Sequence, residues 1–434
     1  MVVPKDRFFP SSPGSGCKHL GRIKKAKVTT NRDYQVSIAS ALGMNLDQKF
    51  LDFSSPSSSS EWAITPAIKN RLRQQVPRPR LSSVNTDIIV KKLQFHNIID
   101  DFYNTAIALS TLSEHLAVAT GNEVTIWTER EGGILPALPP GGALISCLGF
   151  SPDNVLAIGR KDGSITLYSI AKQSIVGIYN HSHGSVCSVL WYPRGNNDLF
   201  IGDTQGSVTH ISFQPEQQHG AVRIALIKSV LRCHKEQICG LAVSPDLRDL
   251  AVGGNDNMVT VWDISDLPAP VLKFQIHHNA AVKALAFCPW TPGLLATGGG
   301  AHDRTIRFWH TRSGALLQTF TLQGQITSIV WSHHCRQLCV TFGFNTADTL
   351  LSVYSYPKMN LLAKIPSEYP GRVISACASR EGDQVYLGTS DGFVRLCDVW
   401  TSKKHLTVIP QAGIYRSDII DMMEGIDKGG LMIR

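Results

Sequence analysis

The chain of 434 residues is long enough for one large domain or two ordinary ones. No apolar run reaches the roughly eighteen residues of a membrane-spanning helix, and the N-terminus lacks the apolar stretch of a signal peptide. The formal net charge of +8 arises in the first ninety residues, which contain 14 basic and 6 acidic residues, whereas residues 91–434 contain 28 of each. The charge therefore predicts a basic tail attached to a neutral remainder.

The 10 cysteines form no disulfide-like framework. Several of them lie inside apolar runs, where a free cysteine packs as a small hydrophobe: Cys147, Cys187, Cys239 and Cys377. This usage favours a reducing compartment over secretion. The expected location is the nucleus and cytoplasm.

Residues 1–86 are predicted to form a disordered basic tail, because stretches such as "SSPGSG", "SSPSSSS" and "VPRPR" are typical of linkers. Within the tail, "DRFFP" places Phe8 and Phe9 far from any segment that could bury them. Exposed aromatic residues in such a segment indicate a docking motif for a partner. Three residues followed by proline are candidates for phosphorylation: Ser12, Ser55 and Thr65.

From about residue 88 the sequence repeats one unit: an apolar strand, a turn, a second apolar strand, a Gly-rich turn, and a strand ending in an aromatic residue. Seven copies align at Trp127, Tyr168, His210, Trp262, Trp309, Tyr354 and Cys397. Their successive gaps of 41, 42, 52, 47, 45 and 43 residues are close to the spacing of WD-repeat blades. A β-sandwich would have no reason to keep such a period. The prediction is all-β, a seven-bladed WD-repeat β-propeller.

The propeller is predicted over residues 87–400, followed by a short C-terminal tail over residues 401–434. The run "DIIVKKLQF", residues 87–95, has strand character and precedes the first copy. It is a candidate for the strand that completes the last blade. Such a strand would join the two ends of the ring.

No catalytic motif is found, so the chain is predicted not to be an enzyme and to need no cofactor or metal. The phosphate-binding and zinc-protease patterns are absent. Adjacent histidines on a strand point to opposite faces, which argues against a shared metal for His277 with His278 and for His333 with His334. Three aspartates in tight turns are expected to be structural: Asp162, Asp256 and Asp391.

Nucleic acid is not an expected partner. The dense basic cluster "GRIKKAKVTTNR" contains no aromatic residues on which bases could stack. A nuclear-import signal or a solvated linker explains it equally well.

Three stretches go beyond a generic WD repeat, including "CPWTPGLLATGGG" and "GGNDN". From about residue 91 to 400 the chain closely resembles the Fizzy family, activators and substrate receptors of the anaphase-promoting complex, a ubiquitin ligase. "DRFFP" is similar to the family's C-box, which docks the activator onto the ligase. The final Ile433 and Arg434 resemble the family's Ile-Arg tail. The docking residues implied by the resemblance are Asp6, Arg7, Phe8, Phe9, Pro10, Ile433 and Arg434.

The resemblance also implies two sites for degrons, the short peptides that mark substrates. A destruction-box arginine would meet acidic residues in a side groove, where Asp101 matches one position and Gly392 the other, with Asp391 beside it as a substitute. The KEN motif would bind the top face, whose receptor residues match Asn255, Asn257, Gln325 and Arg372.

Two positions of the KEN face depart from the family, whose aspartate is Ala108 here and whose threonine is Ala301. Such divergence suggests a specialised member, similar to the meiosis-specific activators of fungi. The partners that the resemblance implies are ligase subunits, degron-bearing substrates and pseudosubstrate inhibitors. A WD-repeat scaffold unrelated to ubiquitin transfer is the alternative, and it would need neither a C-box nor an Ile-Arg tail.

Overall fold

The computed structural model describes residues 88–400 except 130–131, 135–141, 195–196, 214–224, 345–348 and 368–370. The predictions for the two tails fall outside these residues. They concern the docking residues Asp6, Arg7, Phe8, Phe9, Pro10, Ile433 and Arg434 and the phosphorylation candidates Ser12, Ser55 and Thr65.

The described residues form seven antiparallel sheets of four strands each, which are the blades of a β-propeller. The predicted fold class is confirmed. Blade 1 contains β2 (Ile107–Leu109), β3 (Leu116–Thr120), β4 (Glu123–Thr128) and β5 (Gly132–Ile134). Blade 2 contains β6 (Ile145–Phe150), β7 (Val155–Arg160), β8 (Ser164–Ser169) and β9 (Ser174–Asn180). Blade 3 contains β10 (Val186–Trp191), β11 (Asp198–Asp203), β12 (Ser207–Phe213) and β13 (Ala225–Arg232).

The remaining four blades continue the same order of strands. Blade 4 contains β14 (Ile238–Val243), β15 (Asp249–Gly254), β16 (Met258–Asp263) and β17 (Val271–His277). Blade 5 contains β18 (Val282–Phe287), β19 (Leu294–Gly299), β20 (Thr305–His310) and β21 (Ala315–Thr321). Blade 6 contains β22 (Ile326–Trp331), β23 (Gln337–Phe342), β24 (Thr349–Ser355) and β25 (Leu361–Pro366). Blade 7 contains β26 (Val373–Ala378), β27 (Gln384–Thr389), β28 (Phe393–Asp398) and β1 (Ile89–Gln94).

The ring closes through β1, the first strand of the described residues, which pairs antiparallel with β28 of the last blade. This confirms the role predicted for residues 87–95. The chain must then pass from the outer edge of blade 7 to the inner strand of blade 1.

The hydrophobic core consists of seven clusters, and each cluster lies between two neighbouring blades. Between blades 5 and 6, for example, Phe308 and Trp331 pack edge to face with ring centroids 5.9 Å apart. Because every blade is covered on both faces by its neighbours, its strands read as apolar runs rather than as a strict alternation. Packing between blades therefore holds the ring together.

His278, a member of one histidine pair, has a structural role. His278 is buried and bonds Asp303 at 2.5 Å through Nδ1 and Thr297 at 2.8 Å through Nε2. The indole of Trp309 donates to the same threonine hydroxyl at 3.0 Å. This chain of bonds ties the turn before blade 5 to its second and third strands. It explains why a histidine, an aspartate and a tryptophan recur in the repeat.

The inner strand of each blade from 2 to 7 contains a register shift near its start. In β18 the shift falls between Val282 and Ala284, so Lys283 is the extra residue. A bulge re-aims the side chain of the extra residue. The lysine is thereby directed away from the regular pleat of its strand.

Candidate functional site

The passage from blade 7 to blade 1 lies across the central opening of the ring, and we name its residues 100–104 the channel strap. Lys283 of blade 5 donates from Nζ to the carbonyls of Phe102 at 2.8 Å and Asn104 at 2.7 Å. The same ammonium donates to the carbonyl of Ile374, on the inner strand of blade 7, at 2.8 Å. Blades 5 and 7 are not neighbours, so these bonds bridge the opening.

Lys283 is a buried cation held by neutral acceptors. Its three donors match three carbonyls, and Nζ also lies 5.6 Å from the centroid of the Phe102 ring. Burial lowers the pKa of this lysine to about 7, while nearby Cys239 and Asp101 act in the opposite direction. The strap is therefore anchored by a bond set that depends on the protonation of one side chain.

Tyr103 links the strap to the KEN-face candidate Asn255. Its hydroxyl donates to Oδ1 of Asn255 at 2.7 Å, and Nδ2 of that asparagine donates to Oε2 of Glu236 at 2.6 Å. The amide is thus oriented from both sides. Burial raises the pKa of the tyrosine, and Cys239, Asp101 and Glu236 add to the rise. Asn257 is exposed two residues further on, in a turn where its φ of 65° is left-handed.

Arg372 is a second KEN-face candidate that binds the strap. Its Nε donates to the carboxylate of Asp100 at 2.5 Å, and its guanidinium lies 4.0 Å from the centroid of the Phe344 ring. Gln325 is buried, and its Oε1 accepts a bond from the backbone N–H of Phe344 at 3.1 Å. This glutamine therefore supports the surface from below. We call the surface around the strap, with Asn255, Asn257, Phe344 and Arg372, the channel mouth.

Asp101, the first destruction-box candidate, also belongs to the strap. One carboxylate oxygen accepts the backbone N–H of Tyr103 at 3.0 Å, and the other lies 3.3 Å from Nζ of Lys161. The two side chains of this ion pair are 27% and 44% exposed, respectively. An exposed pair of this kind is weak, so an incoming arginine can compete for the carboxylate.

Asp391, the second destruction-box candidate, is already engaged within its own blade. Its carboxylate accepts bonds from Arg395 at 2.5 and 3.0 Å and from the hydroxyl of Thr389 at 2.5 Å. Although burial opposes ionisation, the bonds from Arg395 and Thr389 hold the pKa of this carboxyl below its ordinary value. At the adjacent Gly392, φ is 83° and a Cβ would lie 2.9 Å from the carbonyl oxygen of Phe95. The turn therefore requires glycine where the family has an acidic residue.

The two positions that depart from the family lie in different surroundings. Ala108 is 8% exposed and belongs to the hydrophobic cluster between blades 1 and 2, with Leu148 and Ile158. Ala301 is half-buried in the turn that follows β19. A carboxylate at position 108 would therefore meet an apolar environment in this chain.

The sequence analysis missed several residues of the site, among them Tyr103, Glu236 and Lys283. A lysine inside the apolar strand "VKALAF" is a signal, because lysine is rarely fully buried without a partner. Nothing local distinguishes Tyr103 or Glu236, because their importance comes from Asn255, which is 152 positions from the tyrosine.

Neither metal clusters nor membrane-spanning helices are found among the described residues. These residues contain no group of three metal-ligating side chains. None of the described segments forms a helix that could span a membrane. The channel mouth itself is a surface of paired charges and an oriented amide.

The chain is similar to a well-defined set of proteins. The model of the CDC20/Fizzy WD40 domain matches residues 93–397. The meiosis-specific APC/C activator protein AMA1 of Saccharomyces cerevisiae is 34% identical over 388 residues, which cover 82% of this chain and 65% of that relative. The chain thus spans slightly less than two thirds of that relative. Meiotic fizzy-related protein 2 of Schizosaccharomyces pombe is 33% identical, with 76% of this chain and 68% of that relative covered.

A solved structure is also similar to this chain. A chain in the crystal structure of the Mitotic Checkpoint Complex aligns with a TM-score of 0.65 and 29% identity. The alignment covers 73% of this chain and 97% of that one.

Proposed function

Because this chain belongs to the CDC20/Fizzy WD40 family, we propose that it is a non-enzymatic activator and substrate adaptor of the anaphase-promoting complex (APC/C). The observation that carries the proposal is the family match from residue 93 to residue 397, which includes part or all of every blade. A relative at 34% identity is itself named an APC/C activator. The names of two relatives refer to meiosis, which supports a meiotic role for this chain.

Docking to the ligase is assigned to the tails. Phe8 and Phe9 offer two large apolar anchors, while Arg7 offers a charged hydrogen-bond donor, and such residues dominate the energy of many interfaces. Pro10 limits the conformational entropy lost on binding. Ile433 with Arg434 adds a second short anchor of the same apolar-plus-guanidinium type.

Substrate binding is assigned to the channel strap and the channel mouth. Asp101 provides the carboxylate for a destruction-box arginine, and its weak pairing with Lys161 leaves it open to exchange. Asn255, Asn257 and Arg372 provide amide and guanidinium groups for a KEN peptide. Asp101, Asn255 and Arg372 are held by bonds within the strap or to it before a peptide arrives, which lowers the entropic cost of binding.

The test is a reconstituted ubiquitination assay with purified APC/C, the full-length chain and a destruction-box substrate. We expect the chain to stimulate ubiquitination, and we expect the double variant Phe8→Ala, Phe9→Ala to lose most of the stimulation. Loss of one interface hot spot commonly costs about 2 kcal/mol, or roughly thirtyfold in affinity. The matched control replaces Phe50 and Phe53, two other aromatic residues of the N-terminal region, by alanine.

Two outcomes would count against the proposal. The chain could fail to stimulate the ligase at all, which would favour a WD-repeat scaffold without a role in ubiquitin transfer. Alternatively, both double variants could stimulate as well as the unchanged chain, which would refute the docking assignment.

A further inference from the structure

Blade 5 differs from the other blades in the outer strand that it presents to solvent. The outer strand of each blade has one edge that pairs with no strand of the described structure, and proteins commonly protect such edges with lysine, with proline or by keeping them short. Lysine occurs in β1, β13, β17 and β25, while β5 has 3 residues and β9 is weakened by Gly177. The outer strand of blade 5, β21, has 7 residues and none of these features.

One half of β21 has a regular backbone. A register shift between Phe308 and Trp309 of the neighbouring β20 makes Leu317 the extra residue of β21. Such a bulge disrupts pairing where it lies. Residues 318–321 follow the bulge and keep an unbroken register with β20. We call these four residues the blade 5 edge.

The register also shows which backbone groups of the blade 5 edge point outward. The N–H of Leu322 donates to the carbonyl of Arg304 at 2.8 Å. Because bonded and non-bonded pairs alternate along an antiparallel ladder, Thr319 and Thr321 fall in the non-bonded pairs. Their N–H and C=O groups therefore point away from β20, and no other described backbone group bonds to them. Both side chains are exposed as well.

The surface around the blade 5 edge lacks exposed carboxylates. Between Asp266 and Asp348 the sequence contains six lysine and arginine residues but one acidic residue, Asp303. That aspartate is buried, and His278 and Arg307 engage its carboxylate at 2.5 and 3.3 Å. The four strands of blade 5 lie within this interval, so their described residues expose no carboxylate.

Arg304 lies at one end of the blade 5 edge. It is exposed in the turn before β20, and it forms no ion pair with a carboxylate of the described residues. Its backbone bond to Leu322 places it beside the end of β21. A strand added to β21 would lie about 10 Å from β20, because neighbouring strands are about 4.8 Å apart. Two long side chains can meet across that separation, so a carboxylate on the added strand can pair with this arginine.

We propose that the blade 5 edge is a docking site for an extended segment of a partner protein, which adds to blade 5 as a fifth strand and places an acidic residue beside Arg304. Backbone bonds to Thr319 and Thr321 supply affinity, and the charge at the end of the strand selects the segment. A second copy of this chain fits less well, because its own blade 5 edge brings no carboxylate. The site goes beyond the proposed function, since it uses neither the channel strap nor the channel mouth.

The test measures binding of labelled peptides to the full-length chain by fluorescence anisotropy. The acidic peptide has alternating threonine and valine in its centre, because β-branched residues favour strands, and aspartates at both ends, so that either strand direction is tested. The basic peptide has lysines in place of the aspartates. The proline peptide keeps the aspartates but replaces each valine by proline, which removes backbone donors.

Two protein variants change the blade 5 edge or its arginine, and each has a matched control. Thr319→Pro removes one outward N–H and suits an edge strand whose N–H faces solvent, whereas Thr319→Val keeps that N–H. Arg304→Asn removes the charge, and asparagine tolerates the left-handed φ of 53° at this position. Arg380→Asn makes the same change at an exposed arginine in the turn between β26 and β27.

We expect Thr319→Pro to weaken binding of the acidic peptide about five- to tenfold, the scale of one lost backbone bond. Arg304→Asn should weaken it about three- to fivefold, the scale of one exposed ion pair. Thr319→Val and Arg380→Asn should leave its affinity unchanged. The basic and proline peptides should bind the unchanged protein at least about tenfold more weakly than the acidic peptide does.

The outcomes separate the parts of the proposal. Absence of binding by the acidic peptide, or unchanged affinity in a folded Thr319→Pro variant, would refute the docking site. Equal binding of the acidic and basic peptides, or of the acidic peptide to Arg304→Asn and the unchanged protein, would refute an acidic partner. A dimer in sedimentation that Thr319→Pro abolishes would show that a second copy occupies the edge, which also overturns the proposal. If thermal unfolding shows that Thr319→Pro does not fold, Arg304→Asn and the peptide comparison still decide.

Discussion

Replacing Lys283 by methionine tests whether one ammonium holds the channel strap across the ring. The substitution keeps a long flexible side chain of similar length but removes the donors to Phe102, Asn104 and Ile374. Each carbonyl left without a donor costs about 1–3 kcal/mol, whereas the variant no longer buries a cation. We expect a net loss of about 2 kcal/mol in the free energy of unfolding at pH 7.

The way this loss of stability changes with pH is a more specific test of Lys283 than its magnitude. The pKa of Lys283 is about 7 in the folded protein, below its ordinary value of 10.5. Between these values the unfolded chain binds more protons than the folded one, so this lysine makes the folded state more stable as the pH rises through the window. From pH 7 to pH 9 the gain is about 2 kcal/mol. The methionine variant lacks it, so the stability difference between the two proteins should widen by that amount.

The assay is urea-induced unfolding of the full-length chain and the variant at several pH values from 6.5 to 9. Comparing the two proteins at each pH cancels the contribution of all other titrating groups. Lys358→Met, a substitution of an exposed lysine in blade 6, serves as the control and should show a constant difference. If the difference for Lys283→Met is also constant with pH, the pKa of the lysine is not lowered in the folded protein and the predicted pH dependence is refuted. If Lys283→Met leaves the free energy of unfolding unchanged at pH 7, the anchoring argument is refuted.

Three further changes probe separate parts of the chain. Lys161→Ala should strengthen destruction-box binding about two- to fivefold in an anisotropy titration, since it frees Asp101 from an exposed ion pair worth up to ~1 kcal/mol. Unchanged affinity would show that the arginine does not use that carboxylate. Ser12→Asp should activate the ligase less than Ser12→Ala, because it adds negative charge beside Arg7, and equal ubiquitination rates would argue against this switch. Ala108→Asp should lower the thermal unfolding temperature, since burying the carboxylate costs about 2 kcal/mol or more; an unchanged temperature would mean that the new side chain reaches water.

The repeat made the architecture predictable because every blade is built from the same unit. The aligned residues, such as Trp262 and Trp309, all lie on the third strand of their blades. Even the closing strand could be found, because residues 87–95 have strand character but lie outside the seven copies. The number of blades and the strand order therefore follow from the periodicity, and the closure follows from the strand character of residues 87–95.

The two destruction-box candidates show a limit of matching residues to family positions by sequence alone. Asp101 and Asp391 are both acidic and both lie at or beside a family position. The structure distinguishes them. Asp391 lies in the turn before β28, and Arg395 on that strand already pairs with the carboxylate of Asp391. A weak exposed pair and a partly buried pair respond differently to an incoming arginine, and that difference depends on burial rather than on residue type.

The strap could not be predicted because its bonds join residues that are distant in the sequence. Lys283 is 181 positions from Phe102, and Arg372 is 272 positions from Asp100. Only closure of the ring brings these groups over one opening. The sequence shows a lysine in an apolar strand and a short acidic stretch, and neither of them predicts the other.

Because Asp101 and Tyr103 lie two residues apart on this strap, the two candidate degron sites share one mechanical support. A variant that loosens the strap and a variant that changes one recognising side chain should therefore affect peptide binding differently. Lys283→Met should weaken destruction-box and Lys-Glu-Asn peptides together, since it releases the element that presents both sites. Lys161→Ala, by contrast, should change destruction-box binding alone. If Lys283→Met affected one class alone, the two sites would be supported separately, and the strap would not be their common frame.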